Sequence, residues 1–374
     1  MLSNIHTKPI EELYSTPIIQ QTAFWSVVKN NLGVDSLALN FKSSPSSLFH
    51  SANQDTKIQS DMLVLLQAID RNHCMAYVPY GPELEPDDDF QGLFLEELSE
   101  SLRSFLPKNC LFIRYDLCWE SYWAKDKDYF DSNGIWQGEP DPSVQEFRFN
   151  FNTENWNFRK AYSNILPSNT IYLDLRPESE NLLRSMKAKT RYNVGLAARR
   201  GVSITSMGMD GIDIWYELYK ETASRNRILL NDIKYFEAVL SAKADNSHSP
   251  ADVRLLVAYY ENRPLAAMFL VISGDRGSYL YGASSSENRH LMPTYALQWE
   301  AMQQSKAAGC THYDMFGVAP QPDPNHPLYG LYKFKVGFGG DIYHSLGCWD
   351  YPIDEEKYSL FRASELNSKG YHLN

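Results

Sequence analysis

The sequence contains few cysteines. Its 374 residues include only five, an odd number, and their spacing matches no common metal site. This pattern argues against a disulfide framework and gives no sign of a zinc site. We therefore expect reduced core thiols at Cys74, Cys110, Cys118, Cys310 and Cys348.

Long apolar runs and an excess of basic charge are also lacking. The longest apolar candidate, from Pro264 to Ile272, has the length of a strand, whereas a membrane span needs about 20 residues. The first residues lack the basic and apolar regions of a secretory signal, so we expect a cytoplasmic protein. The formal net charge of −11 argues against a broad nucleic-acid footprint and allows only a small, local RNA contact.

What is present is the composition of a globular protein. Hydrophobic residues make up 43% of the chain and charged residues 22%, with 24 tyrosines and 8 tryptophans. A chain of this length is longer than a single core usually sustains, so two domains are expected. Helical and strand patterns alternate with short connections, which is typical of a mixed α/β architecture.

The first series of elements ends before residue 119. It contains predicted helices at 22–31 and 89–105 and strands at 37–41, 62–69, 74–78 and 110–117. Residues 119–165 show no clean period and are interpreted as loops and short strands. A second series opens with a strand at 169–175 and one helix from Ser179 to Arg200, stopped by Gly201. It continues with helices at 212–226 and 233–242 and strands at 253–260 and 264–273.

Residues 328–340 combine aromatic side chains, two lysines and four glycines. Lysine is rarely buried without a partner, and glycine marks turns or close approach, so a ligand-facing surface is one interpretation. The other is an amphipathic turn whose lysines point into water. Upstream, residues 279–284 predict a strand that runs into a small-residue turn, 294–308 a helix, and 309–317 a helix stop and a strand.

This order, ending in Tyr-x-Phe-Lys-x-Gly-Phe-Gly-Gly, resembles the C-terminal half of the Fem-type (FemABX-like) aminoacyltransferases, which build peptidoglycan cross-bridges. The resemblance implies an α/β (α+β) fold with two GNAT-like acyltransferase domains facing a shared cleft. It assigns precursor binding to a first domain at residues 1–165 plus 346–374. The aminoacyl-tRNA side and the catalytic lysine fall in a second domain at 166–345. A charged heptad insertion is lacking between Arg191 and Ala251, which predicts a variant without the long helical arm, and a monomer.

Further segments carry the same resemblance. Residues 21–29 resemble the family's Gln-Ser-x-x-Trp-x-x-x-Lys helix, and residues 77–85 its Tyr-x-Pro-Arg/Lys-Gly-Pro-x-x-Asp turn. Residues 167–202 resemble the family's entry into the second domain, including a basic helix. Residues 225–235 match the segment that supplies an arginine and a tyrosine to the precursor.

Three positions depart from the family pattern. Tyr80 replaces a base, and Glu85 stands where an aspartate is common. Asn231 occupies the place of the arginine, and either Arg225 or Arg227 is a candidate to replace that arginine.

The resemblance assigns roles to individual residues. Phe334 and Lys335 are the pair near the aminoacyl-ester site, with Lys335 as the catalytic cation. Precursor contacts are expected from Lys29, Tyr77, Glu85, Arg225, Asn231, Tyr235 and Tyr281. Contacts with the acceptor end of aminoacyl-tRNA are expected from Lys187, Lys189 and Arg191, and structural packing is an alternative for Arg191.

The implied reaction joins the side-chain amine of a stem peptide to an amino acid held as a tRNA ester. The amine, with an ordinary pKa of about 10.4, must lose a proton, and Glu85, Asp314 or the substrate itself could accept it. The ester is already activated, so no nucleophilic triad is needed, and no cofactor or metal is expected beyond aminoacyl-tRNA as co-substrate. Lys335 would stabilise the oxyanion or the departing ribose oxygen, while a structural capping role remains open for Asp314.

Two other functions remain as alternatives. A GNAT-like acyltransferase that uses acyl-CoA would need a glycine-rich pyrophosphate loop, and residues 285–290 lack those glycines. A non-catalytic protein that binds wall precursor or tRNA would explain Asn231 and Tyr80 but not the retained Phe334 and Lys335. For the transferase we expect glycine or alanine as the transferred residue. The expected acceptor is UDP-MurNAc-pentapeptide or lipid II, the second of which is compatible with peripheral membrane contact.

Overall fold

The computed structural model describes residues 2–51 and 56–366, which divide between two compact units. Unit 1 contains residues up to 168 together with 246–249 and 344–366, and unit 2 contains 169–245 and 250–343. Residues 246–249 belong to unit 1 through hydrogen bonds: the amide of His248 donates to the carbonyl of Glu11 at 2.8 Å, and the Ser249 hydroxyl accepts from the amide of Ala23 at 2.9 Å. Among the described residues, no helix is long and apolar enough to cross a membrane.

The described part of unit 1 before residue 169 contains six strands and four α-helices. Its strands are β1 (Leu2–Lys8), β2 (Asp35–Ser43), β3 (Ile58–Ala68), β4 (Cys74–Pro79), β5 (Cys110–Glu120) and β6 (Arg159–Lys160). Its helices are α1 (Ala23–Asn31), α2 (Gln91–Leu102), α3 (Tyr122–Lys125) and α4 (Pro142–Asn150).

Unit 2 follows with a similar inventory. Its strands are β7 (Asn169–Asp174), β8 (Ser203–Met207), β9 (Asp252–Tyr260), β10 (Arg263–Ser273), β11 (Arg276–Ser284) and β12 (His312–Asp314). Its helices are α5 (Ser179–Ser185), α6 (Ala188–Arg199), α7 (Ile212–Asn226), α8 (Ile233–Ser241), α9 (Pro293–Ala307) and α10 (Tyr329–Lys335). The chain then continues as β13 (Asp341–Pro352), which enters unit 1, and ends in α11 (Glu355–Leu366).

The two units repeat one strand topology. In unit 1, β1, β2, β3 and β4 pair antiparallel in sequence, β4 pairs parallel with β5, and β5 pairs antiparallel with β13. In unit 2, β8, β9, β10 and β11 pair antiparallel, β11 pairs parallel with β12, and β12 pairs antiparallel with β7. The parallel pair requires a crossover in each unit, which α2 and α9 provide.

The strand after each crossover carries the same buried dipeptide. Tyr115 on β5 shares a hydrogen bond of 2.9 Å with the Ser99 hydroxyl on α2, and the Tyr313 hydroxyl on β12 donates to the side-chain amide oxygen of Gln298 on α9 at 2.8 Å. An aspartate follows each tyrosine and is buried in both units. The repeat thus extends from topology to individual side chains.

The predicted helix from Ser179 to Arg200 is wrong in one respect, since the structure contains two helices there. The chain is extended at Met186 and Lys187, with ψ angles of 148° and 142°. The amide of Lys187 donates to the carbonyl of Gly337 at 2.9 Å instead of to the preceding turn. A tertiary hydrogen bond therefore replaces a helical one, which the local pattern could not indicate.

Residues 119–165 contain a helix that the sequence interpretation missed. Helix α4 begins at Pro142 and buries Phe149 against Trp349, with ring centroids 4.3 Å apart and planes 18° apart. Its apolar residues lie on more than one face, so no single stripe marks it in the sequence. The predicted helix at 212–226, in contrast, is confirmed as α7.

A buried ion-pair group fixes the C-terminal helix of unit 1. The Arg114 guanidinium donates to both carboxylate oxygens of Asp350 at 2.7 and 2.8 Å and to both of Glu365 at 2.7 and 3.0 Å. Arg114 and Asp350 are only 2% and 1% exposed. Removing one partner of such a group leaves the other charge buried without compensation.

We expect Arg114→Met to lower the free energy of unfolding by about 3–5 kcal/mol, because Asp350 loses its cation but stays buried. Urea unfolding followed by tryptophan fluorescence would measure the loss. Arg176→Met is the matched control, since the Arg176 pair with Asp174 is exposed and should change stability little. Equal losses in the two variants would contradict the role given to burial.

Candidate functional site

Lys335 ends helix α10 with its side chain folded into unit 2. It is 4% exposed, and its ammonium donates to the carbonyls of Phe316 and Gly317 at 2.9 and 2.6 Å. The same ammonium lies 5.2 Å from the ring centroid of Tyr279. An ideal Cβ on Gly282 would overlap the Tyr279 hydroxyl, so glycine at position 282 makes room for that ring.

Asp314 holds the turn that supplies these carbonyls. Its carboxylate accepts hydrogen bonds from the Thr170 hydroxyl and, at 2.7 Å, from the amide of Phe316. Phe316 has a φ of 56°, a left-handed conformation that is costly for a bulky residue. The hydrogen bond from its amide to Asp314 stabilises that conformation, and the carbonyls of Phe316 and Gly317 are thereby directed at Lys335.

Burial shifts the pKa values of both Lys335 and Asp314. Desolvation lowers the pKa of Lys335 to about 7, although the nearby Asp314 carboxylate opposes the shift. Burial raises the pKa of Asp314, against the effects of Arg276, the two hydrogen bonds and Lys335. A lysine that titrates near neutral pH is typical of functional sites, where it can exchange a proton or act as a desolvated cation.

Phe334 lies inward beside Lys335. Its ring centroid is 5.0 Å from that of Tyr295 and 5.2 Å from that of Phe338, both in edge-to-face contact. Phe334 is partly buried against the core of unit 2. These contacts anchor helix α10 and place Lys335 at its buried end.

The start of the basic helix α6 contacts the glycine-rich segment that follows Lys335, residues 337–340. Besides the hydrogen bond from Lys187 to Gly337, an ideal Cβ on Gly337 would overlap the Thr190 hydroxyl, so the two segments meet without a side chain between them. Lys187 and Lys189 are exposed. Arg191 is exposed too, but its guanidinium donates to the carbonyls of Arg184 and Met186, at 3.1 and 3.2 Å, at the end of α5. Arg191 thus has the packing contacts of a structural residue.

Tyr235 and Tyr281 meet although they are 46 residues apart. Their hydroxyls are 2.7 Å from each other, and the rings are in edge-to-face contact at 5.9 Å. Burial raises the pKa of Tyr235, so this hydroxyl stays protonated. The two phenols form a polar pair at the edge of an aromatic cluster that includes Phe236 and Phe269.

Arg225 is tied to the end of β11. Its guanidinium donates to the carbonyl and hydroxyl of Ser284 at 2.8 and 3.1 Å. The backbone carbonyl of Asn231 accepts a hydrogen bond of 3.2 Å from the Tyr216 hydroxyl. Arg227 is exposed and follows the last residue of α7, with a φ of 52°. Of the two arginines, Arg227 therefore has the more accessible side chain.

Two backbone amides of residues 285–290, the segment considered for CoA binding, already donate to side chains of the protein. The amide of Ser286 donates to the Glu221 carboxylate at 2.5 Å, and the amide of Glu287 donates to the Ser285 hydroxyl at 3.1 Å. A pyrophosphate cradle needs such amides available for phosphate oxygens. The structure engages them with side chains instead.

In unit 1, Gln21 connects the predicted motif at residues 21–29 with the one at residues 77–85. Its amide nitrogen donates to the carbonyl of Pro79 at 2.6 Å, and its oxygen accepts from the amide of Leu63 at 2.8 Å. Helix α1, which follows, is capped by Thr22 and carries Lys29 in its last turn. The Lys29 ammonium lies 5.0 Å from the ring centroid of Trp25, and burial lowers its pKa. Lys29 is therefore a partly desolvated cation, which is suited to an anionic group.

Tyr77 and Glu85 have protein partners. The Tyr77 hydroxyl donates to the buried Asp116 carboxylate at 3.0 Å, and burial raises the pKa of Asp116 to about 6. Glu85 is partly buried, with Lys125 at 3.4 Å and the Gln91 amide at 3.4 Å. Burial raises the pKa of Glu85, while Lys125 partly offsets the shift. Tyr77 is thus internal, and Glu85 keeps a partly exposed carboxylate.

A family model described as the FemAB family matches residues 14–249 and 251–365. The chain belongs to the FemAB family. The lipid II:glycine glycyltransferases of Staphylococcus epidermidis and Staphylococcus aureus are similar to it, with 24% and 25% identity. Each match covers 52% of this chain and 61% of the relative, so the similarity spans about three fifths of the relatives' length.

A solved structure of FemX superposes with a TM-score of 0.71, 18% identity, and coverage of 96% of this chain and 100% of FemX. At this identity the likeness concerns the fold alone. Together with the repeated mixed sheet, it confirms the predicted α/β fold with two units of similar topology.

Several residues around Lys335 were not predicted in this FemAB-family chain. Tyr279, Thr170, Phe316 and Gly317 surround the ammonium or its supporting turn, yet no motif in the sequence marks them as site residues. The one available signal was the placement of small residues, since Gly282 and Gly317 stand beside these contacts. Their meaning depends on long-range packing, which a local pattern does not contain.

We expect Lys335 to make stability depend on pH. Its folded pKa of about 7 lies below the ordinary value of 10.5, so the unfolded chain binds the proton more tightly and stability falls as pH drops from about 10 to 7. Between pH 7 and pH 9, wild type should gain about 2 kcal/mol relative to Lys335→Met.

Unfolding titrations of both proteins at the two pH values measure this difference. Lys333→Met is the matched control, because Lys333 is an exposed lysine on the same helix. A constant difference between wild type and Lys335→Met across this range would contradict the lowered pKa.

Proposed function

We propose that this protein transfers an amino acid, glycine or alanine, from aminoacyl-tRNA to the side-chain amine of the stem peptide of a peptidoglycan precursor, forming an interpeptide bridge. The observation that carries the proposal is the desolvated Lys335 ammonium in a FemAB-family chain. The activity for which the relatives are named, glycyl transfer to lipid II, supports the same reaction class.

The chemistry needs one new bond and one broken bond. The stem-peptide amine attacks the carbonyl carbon of the aminoacyl ester, negative charge develops on the carbonyl oxygen, and the bond to the ribose oxygen breaks. The amine proton passes to the ribose oxygen, which leaves as a hydroxyl. Lys335 stabilises the developing negative charge, and its low exposure strengthens this effect because water does not screen it.

The geometry also bears on which group accepts the proton. Asp314 already accepts hydrogen bonds from Thr170 and Phe316, so its role is to position the turn that holds Lys335. Glu85 is the other carboxylate considered, and it is engaged by Lys125 and Gln91. With both carboxylates engaged, the substrate itself carries the proton between the amine and the ribose oxygen.

Binding is divided among the remaining predicted residues. Lys29 pairs with the diphosphate of the precursor, and the hydroxyls of Tyr235 and Tyr281 donate to polar groups of the same molecule. Arg227 takes the place of the arginine missing at Asn231. The exposed Lys187 and Lys189 contact phosphates at the acceptor end of tRNA, where the contact is small because the whole chain is acidic.

We expect the purified protein to add one amino-acid residue to UDP-MurNAc-pentapeptide or lipid II when charged tRNA is present. Lys335→Met should reduce the rate by about 100-fold or more, because it removes the cation that stabilises the oxyanion. Lys333→Met should keep the rate. Mass spectrometry of the precursor measures the transfer.

Two outcomes of the same assay would contradict the proposal. A mass gain from acetyl-CoA without tRNA would assign an acyl-CoA-dependent enzyme. Precursor binding with no mass gain from any charged tRNA would assign a non-catalytic binding protein.

We expect Lys29→Met to raise the KM for the precursor about tenfold while kcat stays within about twofold, because an ion pair with phosphate acts in binding. Steady-state kinetics at varied precursor concentration separate the two parameters. Lys108→Met, which changes an exposed lysine elsewhere in unit 1, is the control. A fall in kcat at unchanged KM would contradict a binding role.

A further inference from the structure

Unit 1 exposes three aromatic side chains side by side. Phe147, Phe151 and Trp156 are 58%, 59% and 44% exposed. The ring centroid of Phe147 lies 6.0 Å from that of Phe151 and 5.6 Å from that of Trp156. We call these three residues, with the half-exposed Val144 one turn before Phe147, the α4 aromatic patch. Contiguous exposed apolar surface of this kind marks interaction sites more often than scattered residues do.

The opposite side of α4 prevents the helix from rotating to bury the patch. Phe149 is buried against Trp349, and Asn150 is fully buried, donating to the carbonyl of Phe158 at 3.0 Å and accepting from its amide at 2.9 Å. An ideal Cβ on Gly92 would lie 2.0 Å from the carbonyl oxygen of Phe149, so α2 and α4 are in direct backbone contact. The exposure of the patch is thus a fixed consequence of core packing.

The backbone at Trp156 is strained in a way that keeps the indole in the patch. Its φ is 52°, which is rare for a bulky residue. The two preceding amides, of Glu154 and Asn155, donate to the buried Glu96 carboxylate at 2.6 and 2.8 Å, and the Arg159 guanidinium donates to the Trp156 carbonyl at 3.0 Å. Strain that the surroundings hold in place is a recognised mark of a functional position.

Two ion pairs lie at the border of the patch. A surface depression of 420 Å³ is lined by Asp89, Phe147, Arg148, Phe151 and Asn152. Arg148 pairs with Asp89 at 3.1 Å and lies 4.8 Å from the ring centroid of Tyr122. Glu146, on the same helix, pairs with Arg362 at 3.5 Å. These pairings lower the cost of bringing the border close to an apolar phase.

We propose that the α4 aromatic patch docks the protein on the interfacial region of a phospholipid bilayer. Tryptophan and phenylalanine partition into this region, where an apolar body and a polar edge are both accommodated. The inference rests on the proposed function in one respect, since a lipid-linked acceptor of the kind named for the relatives would present its reactive amine at a membrane surface. Three shallow rings give weak, reversible attachment, which suits an enzyme that also collects tRNA from solution.

Flotation with vesicles of phosphatidylethanolamine and phosphatidylglycerol tests the proposal without any need for catalysis. Wild type should float with the vesicles, and this should persist at high salt because the contact is apolar. The variant Phe147→Ser/Phe151→Ser/Trp156→Gly should partition at least about tenfold less. Leu360→Ser is the matched control, since Leu360 is 70% exposed on α11, outside the patch.

The triple variant should remain folded, because its three side chains are largely exposed and glycine suits the left-handed backbone at 156. Circular dichroism checks this, and Trp156→Gly alone offers a second, milder variant that should also lower partitioning. Equal flotation of wild type and the triple variant would overturn the proposal. So would a wild-type dimer, detected by sedimentation, that the triple variant loses while neither protein floats.

Activity measurements separate this inference from the proposed function. If both hold, the triple variant should keep its rate on the soluble UDP-linked precursor and lose rate only on lipid II in vesicles. Vesicle binding that depends on the patch, in a protein with no transferase activity, would support the docking surface and overturn the proposed function. Transfer to lipid II in vesicles at the wild-type rate by the triple variant would overturn the docking surface alone.

Discussion

The desolvation of a single ammonium group organises the central part of unit 2. The Lys335 ammonium leaves water at the end of α10 and donates hydrogen bonds to two carbonyls while it faces an aromatic ring. Those carbonyls point correctly only because Phe316 adopts a left-handed conformation, which Asp314 and Thr170 stabilise. The cost of removing the charge from water thus explains why a strand end, a turn and a helix end meet at one point.

Unit 1 contains a related arrangement built from different residues. Lys160 is buried, donates to the carbonyl of Leu346, and faces the ring of Trp349 at 5.2 Å. Asp116, which follows Tyr115 as Asp314 follows Tyr313, lies close enough for the charge of Lys160 to lower its pKa, although burial raises it more. Both copies of the topology therefore place a buried lysine near an aspartate on the strand that follows the crossover helix. In unit 1 the aspartate accepts hydrogen bonds from the Tyr77 hydroxyl and the amide of Leu166, just as Asp314 accepts from the Thr170 hydroxyl and the amide of Phe316.

In unit 1, internally paired charges serve stability, whereas an exposed apolar surface serves the proposed docking. Arg114, Asp350 and Glu365 form a buried group whose members satisfy one another. The rings of the α4 aromatic patch, on the other hand, remain in water although α4 packs tightly. Groups left in an unfavourable environment by a well-packed scaffold are the ones that gain most from a ligand or a surface.

The sequence by itself indicated the fold class, the family and part of the order of elements. Hydrophobic periodicity and turn residues gave helices such as α7, and contiguous motifs such as residues 328–340 gave the family resemblance. The sequence also indicated Lys335 and the basic segment at 187–191 as chemically unusual. The tertiary structure alone decided that Met186 and Lys187 break the predicted helix, that Arg191 caps a neighbouring helix, and that Tyr235 meets Tyr281. It also decided the surroundings of Lys335 and the exposure of Phe147 and Phe151. These features depend on burial and on hydrogen bonds between distant segments, and neither quantity is contained in a local pattern.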